Sequence, residues 1–283
     1  MRVVVLITVH QPIITPLEEI SLRQCFKVLG QHPIRLVCPE GMDVSAYRAI
    51  IPTIEVDFIA PHWQASYANF TQLKIEPFLY ERYAAYEYVL FHELDVFVFR
   101  DDLEKWCATG LDYIGAPWFV GLVMANESSP VLGVGNGGFS LRKVSSMLRG
   151  RRSTWLWLRL LASEARHKPL SALRRAVADL GRIARGGYPS LAFARGEDNF
   201  WGLVVSRHLR WFHVASFDQA REFSFETQPR RLYKLNGERL PFGCHAWARY
   251  DLDFWRPHIE AFGHDLQGLA PQSTFHTLSA SKA

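Results

Sequence analysis

Two carboxylates lie two residues apart, directly after an apolar run, in the first half of the chain. They are Glu93 and Asp95, with Leu94 between them. In an extended chain, residues i and i+2 point to the same side, so both carboxylates should face one crevice while Leu94 turns into the core. Two carboxylates this close repel each other unless a cation lies between them, and hard oxygen ligands suit Mn²⁺ or Mg²⁺. The sequence therefore predicts a divalent-metal site that could neutralise a diphosphate; a strand-end turn with two solvated acids is the alternative.

The elements around this pair alternate between strand and helix patterns. Apolar runs of strand length cover residues 3–8, 34–38, 88–91 and 96–99, and apolar residues recur at helical spacing in 17–29 and 70–83. Pro77 predicts an end or a kink in the second of these helices. Strand runs that are apolar on both faces and separated by helices indicate an α/β fold with a mostly parallel central sheet, covered on both sides. Ligands of such sheets bind beyond the carboxyl ends of the strands, where Glu93 and Asp95 are expected.

The second half of the chain contains two further motifs. In residues 135–138, Gly-Asn-Gly-Gly leads into a strand pattern, which predicts a close approach of the backbone to another group. Glu197 and Asp198 follow Gly196 at the start of a predicted helix. The helix dipole favours acids in the first helical turn, so this pair has a structural explanation as well as a chemical one.

The composition indicates a folded protein without a membrane span. Of the 283 residues, 48% are hydrophobic and 13% are aromatic, which is enough for a substantial core. No stretch approaches the roughly 20 apolar residues of a membrane span. The four cysteines are widely and irregularly spaced, which indicates reduced thiols in a cytoplasmic protein rather than a disulfide framework or a zinc ribbon. We expect one domain over residues 1–265 and a flexible tail over 266–283.

Positive charge is concentrated in residues 149–185. This segment carries nine Arg and one Lys against two acids, a net charge of +8, whereas the whole chain has a net charge of +4. A nucleic-acid binder would be basic more uniformly, so we expect no nucleic acid partner. Trp and Leu are interleaved with Arg in this segment, which is typical of amphipathic helices that bind an anionic membrane surface. A helical lid packed on the domain is the alternative.

The order of these motifs resembles GT-A-type glycosyltransferases and, among such proteins, the DUF5672 family. The resembling blocks are 69–74, 86–99, 112–118, 135–143, 197–202 and 241–247. In GT-A enzymes, a helix with a basic residue precedes a strand that ends in a D-x-D motif, in which Glu93 here replaces the first Asp. The resemblance implies a GT-A-like, Rossmann-like fold. Its nucleotide-sugar half would cover about 1–130 and its acceptor half 131–265, with the basic helical insertion at about 145–187.

The resemblance also implies a role for each candidate site residue. Donor or nucleotide contacts are implied for Thr8, His10, Lys74, Glu93 and Asp95. The implied metal ligands are Glu93, Asp95 and His245, a late histidine of the kind that completes the metal site in many GT-A enzymes. Acceptor contacts are implied for Asn136, Gly137, Gly138 and Trp201. Asp198 is implied as the base that takes the proton of the acceptor hydroxyl, and Glu197 as an acceptor ligand or the alternative base.

The implied activity is a metal-dependent transfer of a sugar, with inversion, from a nucleoside-diphosphate donor to a hydroxyl. A UDP-sugar is the expected donor, and a glycan or lipid-linked glycan is the expected acceptor, as in polysaccharide biosynthesis at the inner face of the membrane. A nucleotidyltransferase is the first alternative, but residues 10–15 contain no glycine for a phosphate loop. A non-catalytic carbohydrate-binding protein is the second, and it would not need both acidic pairs.

Overall fold

A computed structural model of the protein describes residues 2–190 and 196–271. Its strands are β1 (Val3–Thr8), β2 (Ile34–Pro39), β3 (Glu55–Ile59), β4 (Tyr88–His92), β5 (Val96–Val98), β6 (Tyr113–Ile114), β7 (Ala116–Phe119), β8 (Val131–Gly135), β9 (Phe139–Lys143), β10 (Ser224–Phe225) and β11 (Gly243–His245). Six of them form a central sheet in the order β3-β2-β1-β4-β9-β6. The first four run parallel, β9 is antiparallel to β4, and β6 is antiparallel to β9. The predicted α/β class with a mostly parallel sheet is therefore confirmed.

Helices flank this sheet. They are α1 (Pro16–Leu29), α2 (Ser45–Ile50), α3 (Tyr67–Leu73), α4 (Pro77–Arg82), α5 (Leu103–Ala108), α6 (Val144–Arg151), α7 (Thr154–His167), α8 (Pro169–Ala184), α9 (Glu197–Asn199), α10 (Ser206–His208), α11 (Phe217–Phe223), α12 (Pro229–Leu235) and α13 (Leu252–Glu260). A π-helical segment, Phe200–Val205, joins α9 to α10. Short 3₁₀ turns cover Pro61–Gln64 and Leu122–Met124.

Local sequence signals account for the first elements. All six residues of β1 are buried, because the strand lies between β2 and β4. Thr15 and Glu18 form a capping box that starts α1, each side chain accepting from the backbone N–H of the other. Ser21 and Gln24 of α1 donate to two carbonyls of β5, which fixes the helix against that strand.

Two elements differ from their predictions. Residues 70–83 form two helices rather than one, because the residue before a proline is biased towards extended backbone. Glu76 is extended, with φ −70° and ψ 153°, and Pro77 starts the second helix. The apolar run at 96–99 lies outside the central sheet, where β5 pairs antiparallel with β11.

Each of the three sheets contains strands from both the first half of the chain, up to about residue 130, and the second half. β9 is inserted between β4 and β6, β11 pairs with β5, and β8 pairs with β7. A division at about residue 130 would therefore separate paired strands in every sheet of the described chain. The predicted helical insertion consists of α6, α7 and α8.

The end of the described chain is packed more closely than the sequence predicts. Leu266 is fully buried in a cluster with α13, so the predicted tail over 266–283 does not begin at its first residue. Residues 272–283 of that tail lie outside the described residues. The four cysteines are buried as free thiols. Within 2–190 and 196–271, no helix has the length and apolar character to cross a membrane.

Candidate active site

Glu93 and Asp95 lie in the turn between β4 and β5, at the carboxyl edge of the central sheet. The Val96 N–H donates to the Glu93 carbonyl at 3.1 Å, which closes the turn. The Glu93 N–H donates to the Gly138 carbonyl at 2.9 Å and anchors the turn to the loop before β9. The prediction of an extended chain is therefore wrong, because a turn rather than a strand pleat brings both carboxylates together. Leu94 is 8% exposed and turns into the core as predicted.

His245 joins the two acids because its strand pairs with the strand that follows them. His245 in β11 lies opposite Val96 in β5, one residue after Asp95. Its Nε2 is 3.1 Å from Asp95 Oδ1 and 4.0 Å from Glu93 Oε2. One potential ligand atom from each of the three residues lies within 4.8 Å of the others. Two carboxylates and an imidazole at these distances form a ligand set that suits Mn²⁺.

Glu226 contacts the other ring nitrogen of His245, and it is not among the predicted site residues. His245 Nδ1 is 2.8 Å from Glu226 Oε1, and Trp118 Nε1–H donates to Glu226 Oε2 at 2.5 Å. A carboxylate at Nδ1 fixes the tautomer in which Nε2 is available to a metal. Asp95 Oδ1 is buried, and His245 Nε2 lies 3.1 Å from it. The imidazole and this oxygen are therefore prepared for a cation.

The electrostatics around Asp95 and His245 favour positive charge. Burial disfavours a charged imidazole, but Asp95 and Glu226 outweigh this effect and raise the pKa of His245 well above its usual value. Burial also disfavours an ionised Asp95, but the charge and hydrogen bond of His245, with the charge of Arg249, outweigh it and lower the pKa of Asp95. Asp95 is therefore ionised at neutral pH.

Lys74 is buried between the two acidic pairs. It caps the carboxyl end of α3, just before the break at Pro77, and is 1% exposed. Its ammonium donates to Glu93 Oε1 and, at 3.0 Å, to the Gly137 carbonyl. The same nitrogen is 3.5 Å from Glu197 Oε1. One ammonium thus links the acids after β4 to those at the start of α9, so both pairs belong to one site.

Arg142 is the second buried cation of this site, and it was not among the predicted site residues. It is fully buried in β9, and its guanidinium lies 3.1 Å from Glu197 Oε1. It also donates to the Tyr80 hydroxyl at 3.1 Å and to the Lys74 carbonyl at 3.3 Å. Because Glu197 Oε1 contacts two cations, the Glu197 side chain is held in place from two sides.

Asp198 lies in a different environment from Glu197. Burial and the negative charges of Glu197 and Glu226 raise the pKa of Asp198 to about 7, against the lowering effects of the Asn199 N–H and the Arg142 charge. The Asn199 N–H donates to Asp198 Oδ1 at 2.7 Å. A carboxyl with this pKa exchanges a proton near neutral pH, as a general base must.

The loop from Asn136 to Gly138 brings the backbone close to the acids and the imidazole. A Cβ on Gly137 would lie 2.3 Å from Glu197 Oε1, and a Cβ on Gly138 would lie 2.1 Å from His245 Nε2. Asn136 is fully buried with φ 92°, and its Oδ1 accepts from the Gly138 N–H at 3.0 Å. The predicted close approach is present, but side chains of the site occupy the space beside these glycines where a sugar was expected.

Gly138→Ala is expected to weaken metal binding because its Cβ requires the His245 ring to move. We expect the Mn²⁺-dependent rise in melting temperature to be lost or the Mn²⁺ affinity to fall about tenfold or more. The control is Gly181→Ala in α8, where the nearest side-chain atom to the new Cβ lies at 3.7 Å. If Gly138→Ala binds Mn²⁺ as tightly as the wild-type protein, His245 does not ligate the metal.

Three other predicted contact residues differ in exposure. Trp201 is fully buried, donates to the Lys74 carbonyl at 3.1 Å and stacks on Phe212, so the predicted acceptor contact is wrong and its role is packing. Thr8 is the last residue of β1 at the carboxyl edge of the sheet, and its buried hydroxyl has no partner in the described part of the chain. His10 follows in an exposed loop.

A family model matches a range of the chain that includes Lys74, Arg142 and the acids of the candidate site. The family model described as "Protein of unknown function (DUF5672)" matches residues 53–245. The chain belongs to the DUF5672 family. The resemblance predicted from the motif order is thereby confirmed. The matched range includes Lys74, Glu93 and Asp198, and it ends at His245.

Solved structures that resemble this DUF5672 chain were also found. Mouse xyloside xylosyltransferase 1 in its apo form is 11% identical with a TM-score of 0.49, over 86% of this chain and 96% of that chain. Galactosyltransferase LgtC in complex with donor and acceptor sugar analogs is 12% identical with a TM-score of 0.47, over 92% and 94%. A glycosyltransferase involved in glycosylation of the major capsid of PBCV-1 is 11% identical with a TM-score of 0.41, over 92% and 100%. No curated protein matches the chain.

Proposed function

We propose that this DUF5672 protein is a metal-dependent, inverting glycosyltransferase. It would move a sugar from a nucleoside-diphosphate donor, a UDP-sugar, to a hydroxyl of a glycan or lipid-linked glycan at the inner face of the membrane. One observation carries the proposal: the Glu93, Asp95 and His245 cluster is linked through Lys74 to the Glu197–Asp198 pair. A cation site and a titratable acid in one place are the parts that such a transfer needs.

The residues present fit a divalent cation such as Mn²⁺ or Mg²⁺ in chemistry and in charge. Asp95 Oδ1 is buried, and His245 Nε2 lies 3.1 Å from it, so an oxygen and a nitrogen that can bind a cation face each other. The carboxylates grouped here are Glu93, Asp95, Glu197, Asp198 and Glu226, and the permanent cations are Lys74, Arg142 and Arg249. The carboxylates outnumber the permanent cations, so a divalent ion would offset the excess of negative charge once His245 is neutral. Bound there, the metal would stabilise negative charge on the leaving diphosphate.

Lys74 supports the donor side of the site. Its ammonium is buried, so its interaction with a phosphate would be less screened than in water. It also contacts Glu93 and so holds that carboxylate in position for the metal. Lys74 therefore supplies fixed positive charge for the diphosphate and orients one metal ligand.

Asp198 is the better base of the second acidic pair. Taking a proton at Glu197 Oε1 would weaken its contacts with both Lys74 and Arg142. Asp198, with a pKa of about 7, can accept the proton of the acceptor hydroxyl at neutral pH and then release it to water. We assign the base to Asp198 and a positioning role to Glu197, which holds the two cations at the site.

The proposal is tested by incubating the protein with a panel of sugar nucleotides and measuring the released nucleoside diphosphate. We expect slow hydrolysis of UDP-sugars in Mn²⁺ and none in EDTA. Asp95→Asn should lower the rate by about 100-fold or more, because the metal loses one of its proposed ligands. Asp253→Asn, which changes an exposed acid of α13, should leave the rate unchanged.

The same assay separates the alternative functions. A nucleotidyltransferase would instead release pyrophosphate from a nucleoside triphosphate. A carbohydrate-binding protein would bind glycans without releasing any nucleotide. Equal hydrolysis of UDP-sugars in Mn²⁺ and in EDTA would contradict the metal-dependent reaction.

A further inference from the structure

The helical insertion exposes apolar side chains on α8 and α7. On α8 they are Leu170, Leu173, Val177, Leu180 and Ile183, between 40% and 73% exposed, and they are called the apolar stripe below. They recur every three or four residues, so they lie along one face of the helix. On α7, Trp155 and Leu158 are 54% and 46% exposed and lie about one turn apart. Contiguous exposed apolar residues of this kind mark an interaction surface.

The opposite face of α8 holds it to α7. Trp157 Nε1–H of α7 donates to Asp179 Oδ2 of α8 at 3.0 Å. Glu164 of α7 accepts from the Ser171 hydroxyl at 2.8 Å and pairs with Arg175 at 2.7 Å. Ser171, Arg175 and Asp179 are four residues apart from one to the next, so they share a face. The apolar stripe lies on the other side of α8 and therefore points away from α7.

Positive charge accompanies the apolar stripe. Four arginines of the basic segment have partners within the protein: Arg151 pairs with Glu76, Arg152 with Glu81 and Arg175 with Glu164, and Arg149 lies over an aromatic ring. The remaining cations are Arg159, Arg166, Lys168, Arg174, Arg182 and Arg185. No carboxylate lies within 4.0 Å of any of these six in residues 2–190 and 196–271. The apolar stripe together with these six cations is complementary to a surface that carries negative charge on the outside and has an apolar layer beneath it.

We propose that the α7–α8 hairpin binds the surface of an anionic lipid bilayer. The apolar stripe enters the boundary between headgroups and acyl chains, and the six cations lie near lipid phosphates. Arg and Lys suit this position because their aliphatic stems cover apolar surface while their charges stay in water. The contact goes beyond the proposed function, and it would bring the candidate active site to lipid-linked acceptors.

The test is co-sedimentation of the full chain with vesicles of phosphatidylcholine mixed with phosphatidylglycerol. We expect the wild-type protein to bind these vesicles, to bind pure phosphatidylcholine at least about tenfold more weakly, and to dissociate as salt is added. The triple variant Leu173→Gln, Val177→Gln and Leu180→Gln should lose about 90% or more of the binding. It removes exposed apolar groups only, so its fold should be intact, as circular dichroism would verify.

Two matched controls accompany the triple variant. Leu235→Gln changes a leucine that is 43% exposed on α12 and should bind vesicles like the wild-type protein. Arg174→Glu with Arg182→Glu should abolish the preference for anionic vesicles. Arg48→Glu with Lys234→Glu, the same change of net charge at exposed positions outside the insertion, should keep that preference.

Three results would overturn the membrane contact. The first is wild-type protein that does not sediment with anionic vesicles, and the second is a triple variant that binds as well as wild type. The third is a wild-type dimer that the triple variant dissociates while vesicle binding is absent, which would assign the apolar stripe to a second copy of the chain. Hydrolysis of UDP-sugars is measured separately in the triple variant, so a loss of vesicle binding is distinguishable from a loss of catalysis.

Discussion

Asp198→Asn is expected to slow sugar transfer by about 100-fold or more and to stabilise the fold above neutral pH. An amide cannot accept the proton of the acceptor hydroxyl, and loss of a general base lowers turnover by about 10²–10⁴-fold. The gain in stability has a different cause. Burial and the charges of Glu197 and Glu226 make the ionised Asp198 unfavourable in the folded protein, and an amide removes that ionisation.

The pH dependence of both effects follows from the raised pKa of Asp198. Its pKa is about 7 in the folded protein and about 3.9 in an unfolded chain, so the stability that its protonated form provides is complete below about pH 4 and lost as the pH rises to about 7. Asp198→Asn should therefore be more stable than wild type by about 2–4 kcal/mol at pH 8 and by little at pH 4. In the wild-type protein, transfer should rise with pH through about 7 because the base must be deprotonated.

Denaturant unfolding at pH 4 and pH 8, in EDTA, measures the stability difference. The control is Asp253→Asn, at an exposed position of α13, which should show no comparable dependence on pH.

Glu197→Gln should instead destabilise the protein, because Lys74 and Arg142 lose a shared anion. If Asp198→Asn retains transfer while Glu197→Gln loses it, the base is Glu197 and the assignment is reversed.

Arg142→Met should destabilise the protein by about 3–5 kcal/mol. Arg142 is fully buried, and its removal leaves Glu197 with Lys74 as its one remaining cation contact among the described residues. Removing one partner of a buried ion pair is costly because the other charge remains in a medium that solvates it poorly. The Tyr80 hydroxyl also loses the guanidinium that donates to it. For a chain of this length, the melting temperature should fall by about 10 °C.

A second substitution tests the cause of this loss. Adding Glu197→Gln to Arg142→Met removes the stranded charge, so the double variant should be more stable than Arg142→Met alone. Arg152→Met is the matched control, because Arg152 pairs with Glu81 at a surface where both side chains are 48% exposed. That pair should contribute no more than about 1 kcal/mol. A cost below about 1 kcal/mol for Arg142→Met would contradict the buried ion-pair network.

The main elements of the fold could be predicted from the sequence because their signals are local. The unbroken apolar run of β1 and the helical spacing after Thr15 leave few alternatives, and the structure has these elements at the predicted positions. The acids after β4 could be placed at the carboxyl edge for the same reason. The break before Pro77 is also local, but its position decides the placement of Lys74, and the sequence pattern gave only an approximate boundary.

The less predictable parts of the site depend on contacts between distant residues. Arg142 lies in β9, and Glu226 follows β10. Only the pairing of β9 with β4, of β10 with β11 and of β11 with β5 brings these two residues to the acids. No local pattern indicates such contacts. Trp201 shows the converse, because a tryptophan near an acidic pair suggests a sugar contact, whereas the structure buries it against Phe212.

The metal dependence of UDP binding tests the proposed site most directly. At a UDP concentration about 100 times its Kd, binding should stabilise the fold by about 2.7 kcal/mol, which raises the melting temperature by about 5–10 °C. We expect this rise with Mn²⁺ and not with EDTA, and we expect Asp95→Asn and His245→Ala to lack it while Asp253→Asn retains it. The same rise in EDTA, or in Asp95→Asn, would contradict a metal site built from Glu93, Asp95 and His245.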